Sequence, residues 1–505
     1  MDAVAECSPD VVPGRDLLVA RGLTKHFGGV VAVDDVDFTV SDGQIFGIIG
    51  SNGAGKSTLL GMVSGSTRPT RGSVELLGSP ISGRGSAHVA RRGIGRAHQI
   101  PRPFRQMTVR EHADLAARLH TSGRRERATV VDDVLERCAL ASRSERRARD
   151  LGLLDLKRLG VARAMAMQPK VLLLDEVAAG LVGKEVDEVI NLIRSINGEG
   201  TTIVMVEHVQ ALIRELASRV LVLEWGRVLT EGTPAAVAAD PAVIEAYLGR
   251  TADAAPPRQT AVASRPEPVL SIDALSVAYG KQPALTDCSI SLGAGEIVAV
   301  VGANGAGKTT LSRALAGIVP IASGRLALNG EDITSMPAHQ RARKGIALCH
   351  EGRRLFREQT VRDNLLIAAR HADTPERSVD ERIANVTELF PEIIPLLDRL
   401  AGTLSGGQQQ MVAIGRALVL EPRVLVFDEL SLGLAPIIVK RIFESLPALR
   451  DAGIGLLLIE QNVGEALSIA DHVYVLDHGS IAFSGTAAEV HADDRLRSAY
   501  LGAAT

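Results

Sequence analysis

The chain lacks any uninterrupted run of about 18 apolar residues, the length a helix needs to cross a bilayer, so no membrane-spanning segment is expected. Its first 15 residues carry Asp2, Glu6 and Asp10 and hold no apolar core segment, so they do not read as a signal peptide. Cysteine is scarce: Cys7, Cys138, Cys288 and Cys349 are widely scattered and form no C-x-x-C pair. Reduced thiols are therefore expected, and neither a disulfide framework nor a cysteine-bound metal. An excess of one charge is missing as well, since 56 Lys and Arg stand against 59 Asp and Glu, a net charge of −3. That balance offers no electrostatic reason for nucleic acid to be the main partner. What remains is a globular composition, 46% hydrophobic and 23% charged, over 505 residues. Such a length accommodates about two to four domains with full cores.

One stretch organises the rest: Gly50-Ser51-Asn52-Gly53-Ala54-Gly55-Lys56-Ser57-Thr58. It fits the phosphate-binding pattern G-x-x-x-x-G-K-[ST], preceded by the apolar Ile45-Phe46-Gly47-Ile48-Ile49 and followed by Leu59-Leu60-Gly61-Met62-Val63. A strand, a glycine-rich loop and a helix start are the context such a motif requires. The glycines let backbone N–H groups turn inward around a polyphosphate, and the helix N-terminus adds partial positive charge. Lys56 can then reach the β- and γ-phosphates, and the Ser57 hydroxyl can ligate Mg²⁺.

The stretch recurs as Gly302-Ala303-Asn304-Gly305-Ala306-Gly307-Lys308-Thr309-Thr310, an offset of 252. The same offset relates Phe27-Gly28 to Tyr279-Gly280 and Thr108-Val109-Arg110 to Thr360-Val361-Arg362. It becomes 253 at Asp175-Glu176 and Asp428-Glu429, and remains so at Tyr247-Leu248-Gly249 and Tyr500-Leu501-Gly502. Two copies of one domain follow from this self-similarity. The expected organisation is a disordered N-terminus at 1–15, a first domain at 16–250, a flexible linker at 251–268 rich in Ala, Pro, Arg and Thr, and a second domain at 269–505.

Strand and helix signals alternate in each copy, which predicts an α/β fold with a mostly parallel sheet covered by helices. Val171-Leu172-Leu173-Leu174 and Val424-Leu425-Val426-Phe427 are continuous apolar runs, as strands buried on both faces require. Charged segments of helical spacing at roughly 105–165 and 357–420 predict a helical subdomain in each copy, with the basic clusters at Arg124-Arg125-Glu126-Arg127 and Arg143 to Arg149 as its solvated face. Each apolar run ends in Asp-Glu. Downstream of a phosphate loop, that pair supplies one carboxylate for Mg²⁺ or its water, Asp175 or Asp428, and a second, Glu176 or Glu429, to polarise an attacking water.

Leu404-Ser405-Gly406-Gly407-Gln408-Gln409-Gln410 is similar to the signature of ATP-binding cassette (ABC) proteins, and the two copies together resemble a tandem pair of such ATPase domains. The resemblance implies two P-loop NTPase domains, each with an N-terminal antiparallel β part beside its parallel core sheet and its helical subdomain. ATP and Mg²⁺ are the implied ligands. It further implies head-to-tail packing, with each ATP clamped between one copy's phosphate loop and the other's signature. Phe27 and Tyr279 fall where an aromatic ring stacks on adenine. Gln99 falls where a glutamine contacts Mg²⁺ and the attacking water, and His208 matches the switch histidine that contacts the γ-phosphate.

Departures between the copies sort the sites. The first copy's signature aligns as Leu151-Gly152-Leu153-Leu154-Asp155, so the serine, both glycines and the glutamine are lost. Asp155 is expected to cap a helix beginning Leu156-Lys157-Arg158. In the second copy Gln99 is replaced by Glu351 and His208 by Gln461, and Val182 and Ala435 stand where many relatives have an aspartate. Head-to-tail pairing would join Lys56, Ser57, Gln99, Asp175, Glu176 and His208 to Ser405–Gln408. It would leave Lys308, Thr309, Glu351, Asp428, Glu429 and Gln461 with the degraded signature, making an asymmetric ATPase.

Gln99-Ile100-Pro101-Arg102-Pro103-Phe104 resembles one ATPase subunit of branched-chain amino acid importers, and Glu351 to Phe356 with Glu460-Gln461-Asn462 resembles the other. The chain looks like a fusion of the two, serving such amino acids or related amides and urea. That resemblance implies separate transmembrane permease subunits, a solute-binding protein reached through them, and a peripheral position on the cytoplasmic face of the membrane. A fused sugar-importer ATPase is the nearest rival. ABC proteins acting on ribosomes fit less well, since they usually keep two intact signatures and a long charged interdomain segment. Glu176→Gln is expected to lower purified ATPase activity by about 10²–10⁴-fold, the usual cost of losing a general base, and Glu429→Gln by much less. Equal losses in the two variants would contradict the asymmetry.

Overall fold

The computed structural model describes residues 14–248 and 267–496, except 52, 100, 102, 182, 183, 208, 281, 304, 372–376, 433, 435 and 494. The expected N-terminal disorder, up to residue 13, and the expected linker, from 251 to 266, lie outside the described residues. Apart from loop residues 51–53, the chain divides into two compact units at the Ala239–Asp240 junction.

The first unit contains ten strands: β1 (Asp16–Phe27), β2 (Val30–Ser41), β3 (Ile45–Gly50), β4 (Arg71–Leu76), β5 (Ser79–Pro80), β6 (Ile94–Ala97), β7 (Val171–Asp175), β8 (Thr202–Val206), β9 (Arg219–Glu224) and β10 (Arg227–Gly232). They form a four-stranded sheet in the order β2-β1-β4-β5 and a six-stranded sheet in the order β10-β9-β3-β8-β7-β6. The small sheet is antiparallel throughout. The large sheet is parallel except at its β9–β10 edge. Every residue of β3, β7 and β8 is buried, as expected of strands covered on both faces. Leu18, Leu23, Phe46, Ile48, Leu59 and Leu173 belong to one apolar core shared by the two sheets and the Lys56–Val63 helix.

The second unit repeats the plan with β11 (Pro268–Tyr279), β12 (Gln282–Gly293), β13 (Ile297–Val301), β14 (Ser323–Leu328), β15 (Glu331–Asp332), β16 (Ile346–Cys349), β17 (Val424–Asp428), β18 (Gly455–Glu460), β19 (His472–Asp477) and β20 (Ser480–Gly485). Its sheets run β12-β11-β14-β15 and β16-β17-β18-β13-β19-β20. Again only the β19–β20 pair of the larger sheet is antiparallel. The α/β class, the mostly parallel core sheets and the antiparallel parts are therefore all present.

Helical subdomains follow β6 and β16. The first contains helices Val109–Ala117, Arg124–Arg137 and Leu153–Met165, and the second Val361–Ala369, Val379–Leu389 and Gly406–Leu418. Thr108 and Thr360 open the leading helices with reciprocal capping boxes to Glu111 and Asp363, which satisfy backbone donors that would otherwise be orphaned. The basic clusters are mostly solvated, with Arg124, Arg125, Arg146, Arg147 and Arg149 exposed. Two members depart from that expectation: Arg127 pairs with Asp114 at 2.7 Å, and Arg143 with Asp155 at 2.8 Å.

Parallel strands deliver their C-terminal ends to one edge, the place where open α/β sheets present ligand-binding loops. Gly50 ends β3, Asp175 ends β7, Gln99 follows β6 and Glu207 follows β8. Large apolar side chains fill the core shared by the two sheets. Phe46 is fully buried and stacks on Phe38 with ring centroids 5.6 Å apart. Phe46→Ala is expected to cost about 3–5 kcal/mol, read as a lower denaturant midpoint. A loss below about 1 kcal/mol would show that this ring is not central to the core.

Candidate functional site

The first phosphate loop connects β3 to the Lys56–Val63 helix, whose N-cap is Gly55 with φ 98°. A Cβ there would lie 2.3 Å from the Ala32 carbonyl oxygen, so only glycine fits both the backbone and the space. Lys56 is only 5% exposed, and its Nζ donates to the Gly50 carbonyl oxygen at 2.8 Å. Burial lowers its pKa to about 8, against the opposing pull of Glu176 and Asp175. Ser51, Gly53, Ser57 and Thr58 lie at or near the surface of the loop and first helical turn, whereas Ala54 packs into the core. Asn52 lies outside the described residues.

Asp175 and Glu176 stand at the end of β7. Asp175 Oδ2 accepts from Arg96 Nη2 at 2.6 Å, and Glu176 Oε2 accepts from Gln99 Nε2 at 2.5 Å. Glu176 itself adopts φ +49°, a conformation that non-glycine residues rarely take outside constrained sites. Bonds to both its backbone groups hold it there. Its N–H donates to the Val206 carbonyl at 2.8 Å, and its own carbonyl accepts from Lys157 Nζ at 3.0 Å. The same ammonium donates to the Gln99 carbonyl at 2.6 Å, so one buried lysine fixes both functional loops. The structure thus brings Gln99, Asp175, Glu176 and Lys56 together at one strand edge. His208 lies outside the described residues.

The second copy builds the same edge with different charges. Gly307 caps the Lys308–Leu315 helix with φ 108°, and Lys308 Nζ donates to the carbonyls of Gly302 at 2.9 Å and Ala303 at 3.1 Å. It also lies 3.5 Å from Glu429 Oε1. Burial lowers the Lys308 pKa, and Glu429 opposes that shift. Asp428 Oδ2 accepts from Ser312 Oγ at 2.7 Å, where the first copy uses Arg96. The pKa values of Asp428 and Glu429 are raised, by burial first and by the Glu351 carboxylate in addition. Gly305, Thr309 and Thr310 take the places of Gly53, Ser57 and Thr58, Ala306 is buried, and Asn304 lies outside the described residues.

Two oxygen atoms test whether Mg²⁺ suits these edges. Asp175 Oδ1 and Asp428 Oδ1 are buried and accept no hydrogen bond among the described residues. An orphaned carboxylate oxygen beside the Ser57 or Thr309 hydroxyl is the hard-oxygen donor set that Mg²⁺ prefers. The residues fit the ion.

Phe27 and Tyr279 are 52% and 49% exposed, so both rings are available at the surface and neither is a core aromatic. The signature motifs differ sharply. Ser405 N-caps the Gly406–Leu418 helix, its Oγ accepting from Gln408 N at 3.4 Å while Gln408 Oε1 accepts from Ser405 N at 3.0 Å. Gly407 is packed so closely that a Cβ would sit 2.7 Å from Ile438 Cγ2. In the first copy the equivalent helix begins at Leu153, with Gly152 as N-cap and no side-chain cap. The expectation that Asp155 caps a helix starting at Leu156 is therefore corrected. Asp155 lies inside the first turn, and its carboxylate is drawn to Arg143 at 2.8 Å and Arg158 at 3.7 Å. Leu153, in the place of Gly406, is 45% exposed.

Sequence reasoning missed Arg96, Lys157 and Ser312. Arg96 carried a signal in retrospect, a cation within the otherwise apolar β6.

A phosphate loop between strand and helix, acidic strand ends beside it, and a helical insertion carrying a capped glycine pair define a nucleotide-binding cassette, here present twice. The chain belongs to the ABC transporter family, whose profile matches residues 33–179 and 285–431, and it is an ATPase. Residues 227–253 match a second profile, that of a branched-chain amino acid ATP-binding cassette transporter. Ribose import ATP-binding protein RbsA 1 of Rubrobacter xylanophilus is 31% identical over 97% of this chain and 98% of its own length. High-affinity branched-chain amino acid transport ATP-binding protein BraG of Pseudomonas aeruginosa is 45% identical over 46% of this chain and 100% of its own. Among solved structures, a nucleotide-free ATP-binding cassette from an ABC transporter is similar at 26% identity and a TM-score of 0.44, covering 46% of this chain and all of that one.

Behind the second edge a fully buried acid, Glu460, lies near a half-buried one, Glu465. Glu460 Oε2 accepts from Ser431 Oγ at 3.0 Å, and its pKa is pushed up to about 8 by burial and then by Glu465. Burial raises Glu465 to about 7. Alanine and leucine, Ala178 and Leu212, occupy the Ser431 and Glu465 positions in the first copy. A raised carboxyl pKa gives stability that is complete below the unfolded value of about 4.5 and lost as pH climbs to about 7–8. Glu465→Gln should therefore raise the melting temperature more at pH 8.5 than at pH 5, with about 2–4 °C for each kcal/mol. An equal change at both pH values in scanning calorimetry would refute the assignment.

Proposed function

We propose that this chain is the ATP-hydrolysing subunit of a solute importer, with one competent and one degenerate ATP site. The observation that carries this reading is the separation of good parts between the copies. The Gln99 amide lies on Glu176 in the first copy, whose signature helix has no side-chain cap. The capped signature belongs to the second copy, where Glu351 stands in place of Gln99. Head-to-tail pairing of the copies unites the favourable halves in a single site.

In that site Lys56 and the loop amides of Gly50 to Thr58 hold the phosphates, and Phe27 stacks on the adenine. Ser57, Gln99 and Asp175 would hold Mg²⁺, which when bound would neutralise phosphate charge. Glu176 accepts a proton from the water that attacks the γ-phosphorus, Gln99 orients that water, and His208 donates to the γ-phosphate. The bond to the bridging oxygen breaks and ADP departs. Ser405, Gly406, Gly407 and Gln408 contribute donors from the other side. Lys308, Thr309, Asp428 and Tyr279 hold ATP at the degenerate site, where Glu429 has the Glu351 carboxylate for a neighbour in place of an amide.

Among the described residues no helix is long and apolar enough to cross a membrane, so transport needs separate permease subunits, and through them a solute-binding protein. A cavity of about 810 Å³ in the first unit, lined by Gln99, His112, Leu115, Ala116, Arg163 and Met167, offers a seat for a permease helix. In this reading the chain is peripheral, at the cytoplasmic face of the membrane. The match at residues 227–253 and the likeness to BraG favour branched-chain amino acids or related small polar solutes. Nearly full-length similarity to a ribose import protein supports sugar import as a second reading. Purification from membranes should recover permease subunits, and Leu115→Glu should reduce that recovery. Recovery with ribosomes instead would sink the importer reading, and tighter binding of ribose than of leucine by the associated solute-binding protein would decide for the sugar.

A further inference from the structure

In the second unit one guanidinium stands beside the signature helix without an acidic partner. Arg353 and Arg354 adopt left-handed backbone conformations, φ +65° and +45°. Two bonds clamp them to the Gly406–Leu418 helix. Arg353 Nε donates to Oε1 of the buried Gln410 at 3.1 Å, and Arg416 Nη1 donates to the Arg354 carbonyl at 2.8 Å. The far end of the Arg353 side chain lies over the first turn of that helix. A Cβ built on Gly406 would be 3.4 Å from Arg353 Nη2 and 3.5 Å from Nη1.

Among the described residues those two nitrogens donate to no acceptor and form no ion pair with a carboxylate, and burial alone lowers the arginine's pKa. The helix has no acidic residue in its first turn, and its N-terminus adds positive potential. A cation held against a positive helix end is unfavourable until an anion arrives. Ser405, exposed at the same turn, already offers its hydroxyl to such an anion.

The first copy keeps Arg102 and Arg163 in the places of Arg354 and Arg416 but changes the residues around the free guanidinium. Pro101 stands for Arg353, Leu153 for Gly406 and Lys157 for Gln410. There the cation sits on the helix and is spent on the Gln99 and Glu176 carbonyls. In the second copy it sits on the loop with its terminal nitrogens unengaged. The cation, the glycine that makes room for it and the neutral residue that steers it occur together, in the copy that keeps an intact signature.

We propose that Arg353 is a phosphate-binding residue of the second copy's signature. It adds a fork of two N–H donors to the Ser405 hydroxyl and the Gly406 and Gly407 amides, directed at the γ-phosphate of ATP held on the first copy's loop. This rests on the head-to-tail pairing proposed above.

Orthovanadate with MgADP, a stand-in for the γ-phosphoryl group, tests it on the full-length protein. Arg353→Gln should raise the vanadate concentration for half-inhibition of ATPase activity by about tenfold, as expected for a lost charge-assisted bond, and Arg353→Lys by less. MgADP affinity measured alone should not change, because the cation faces the γ position. Gln410→Leu, which keeps the charge and removes its tether, should give an intermediate rise and serves if Arg353→Gln fails to fold. A normal vanadate response in Arg353→Gln, beside a weakened one in Ser405→Ala, would overturn the Arg353 assignment and leave the pairing intact. Normal responses in both would refute the pairing and the assignment with it.

Discussion

A lysine ammonium buried at the edge of a parallel sheet is the constraint from which the rest of each copy follows. Lys56 and Lys308 are 5% and 4% exposed. An isolated charge so placed is costly unless it is hydrogen-bonded and paired. Each copy meets that demand with loop carbonyls, at 2.8 Å for Gly50 and 2.9 Å for Gly302, and with acids from the neighbouring strand end. The loop must curl tightly for its carbonyls to face the ammonium, which requires glycine at the left-handed cap. The strand end must carry acids, and it must lie next to the loop, which the parallel β3-β8-β7 order arranges. These contacts are replaceable. A polyphosphate can take over the ammonium from the carbonyls.

Around that shared element the copies differ mainly in where positive charge is placed. Arg96 braces Asp175 in the first copy, whereas the neutral hydroxyl of Ser312 braces Asp428 in the second. Lys157 ties the Gln99 and Glu176 loops to the first signature helix, and Gln410 occupies its position in the second. Glu351 adds a third carboxylate to an edge already holding Asp428 and Glu429, whose pKa values are both raised, by burial first. Raised carboxyl pKa values favour the neutral form, which is a poor ligand for Mg²⁺. The first edge instead carries an amide, Gln99, and two cations, Arg96 and Lys157. Its own weakness lies elsewhere, in a signature helix whose N-terminus has lost its serine and exposes Leu153. Because the two kinds of change fall in different copies, they become informative only when the copies are considered together.

Much of this was open to direct reading. A buried parallel strand announces itself as a continuous apolar run, so β7 and β17 could be placed from Val171–Leu174 and Val424–Phe427 alone. Phosphate loops are local, with glycine, lysine and hydroxyl within nine residues, and need no distant partner to be recognised. The signature helix of the second copy starts where its serine and glutamine indicate, because a capping box is also local. The same rule misled in the first copy. Asp155 has the chemistry of a cap but is drawn away by Arg143, twelve residues upstream, and the helix begins three residues earlier than its position suggested.

By itself the sequence determined the repeat, the α/β class, the two phosphate loops and the inequality of the copies, because each depends on residues close together along the chain or on comparison of one copy with the other. Only the tertiary structure decided which side chains meet across long separations: Arg96 with Asp175, Lys157 with two loop carbonyls, Ser431 with Glu460, and Arg353 with the start of the signature helix. The reason is physical. Local motifs satisfy backbone groups within one turn of chain, whereas a buried charge takes whatever partner the packing of sheets and helices brings within about 3 Å, and sequence order does not specify that partner.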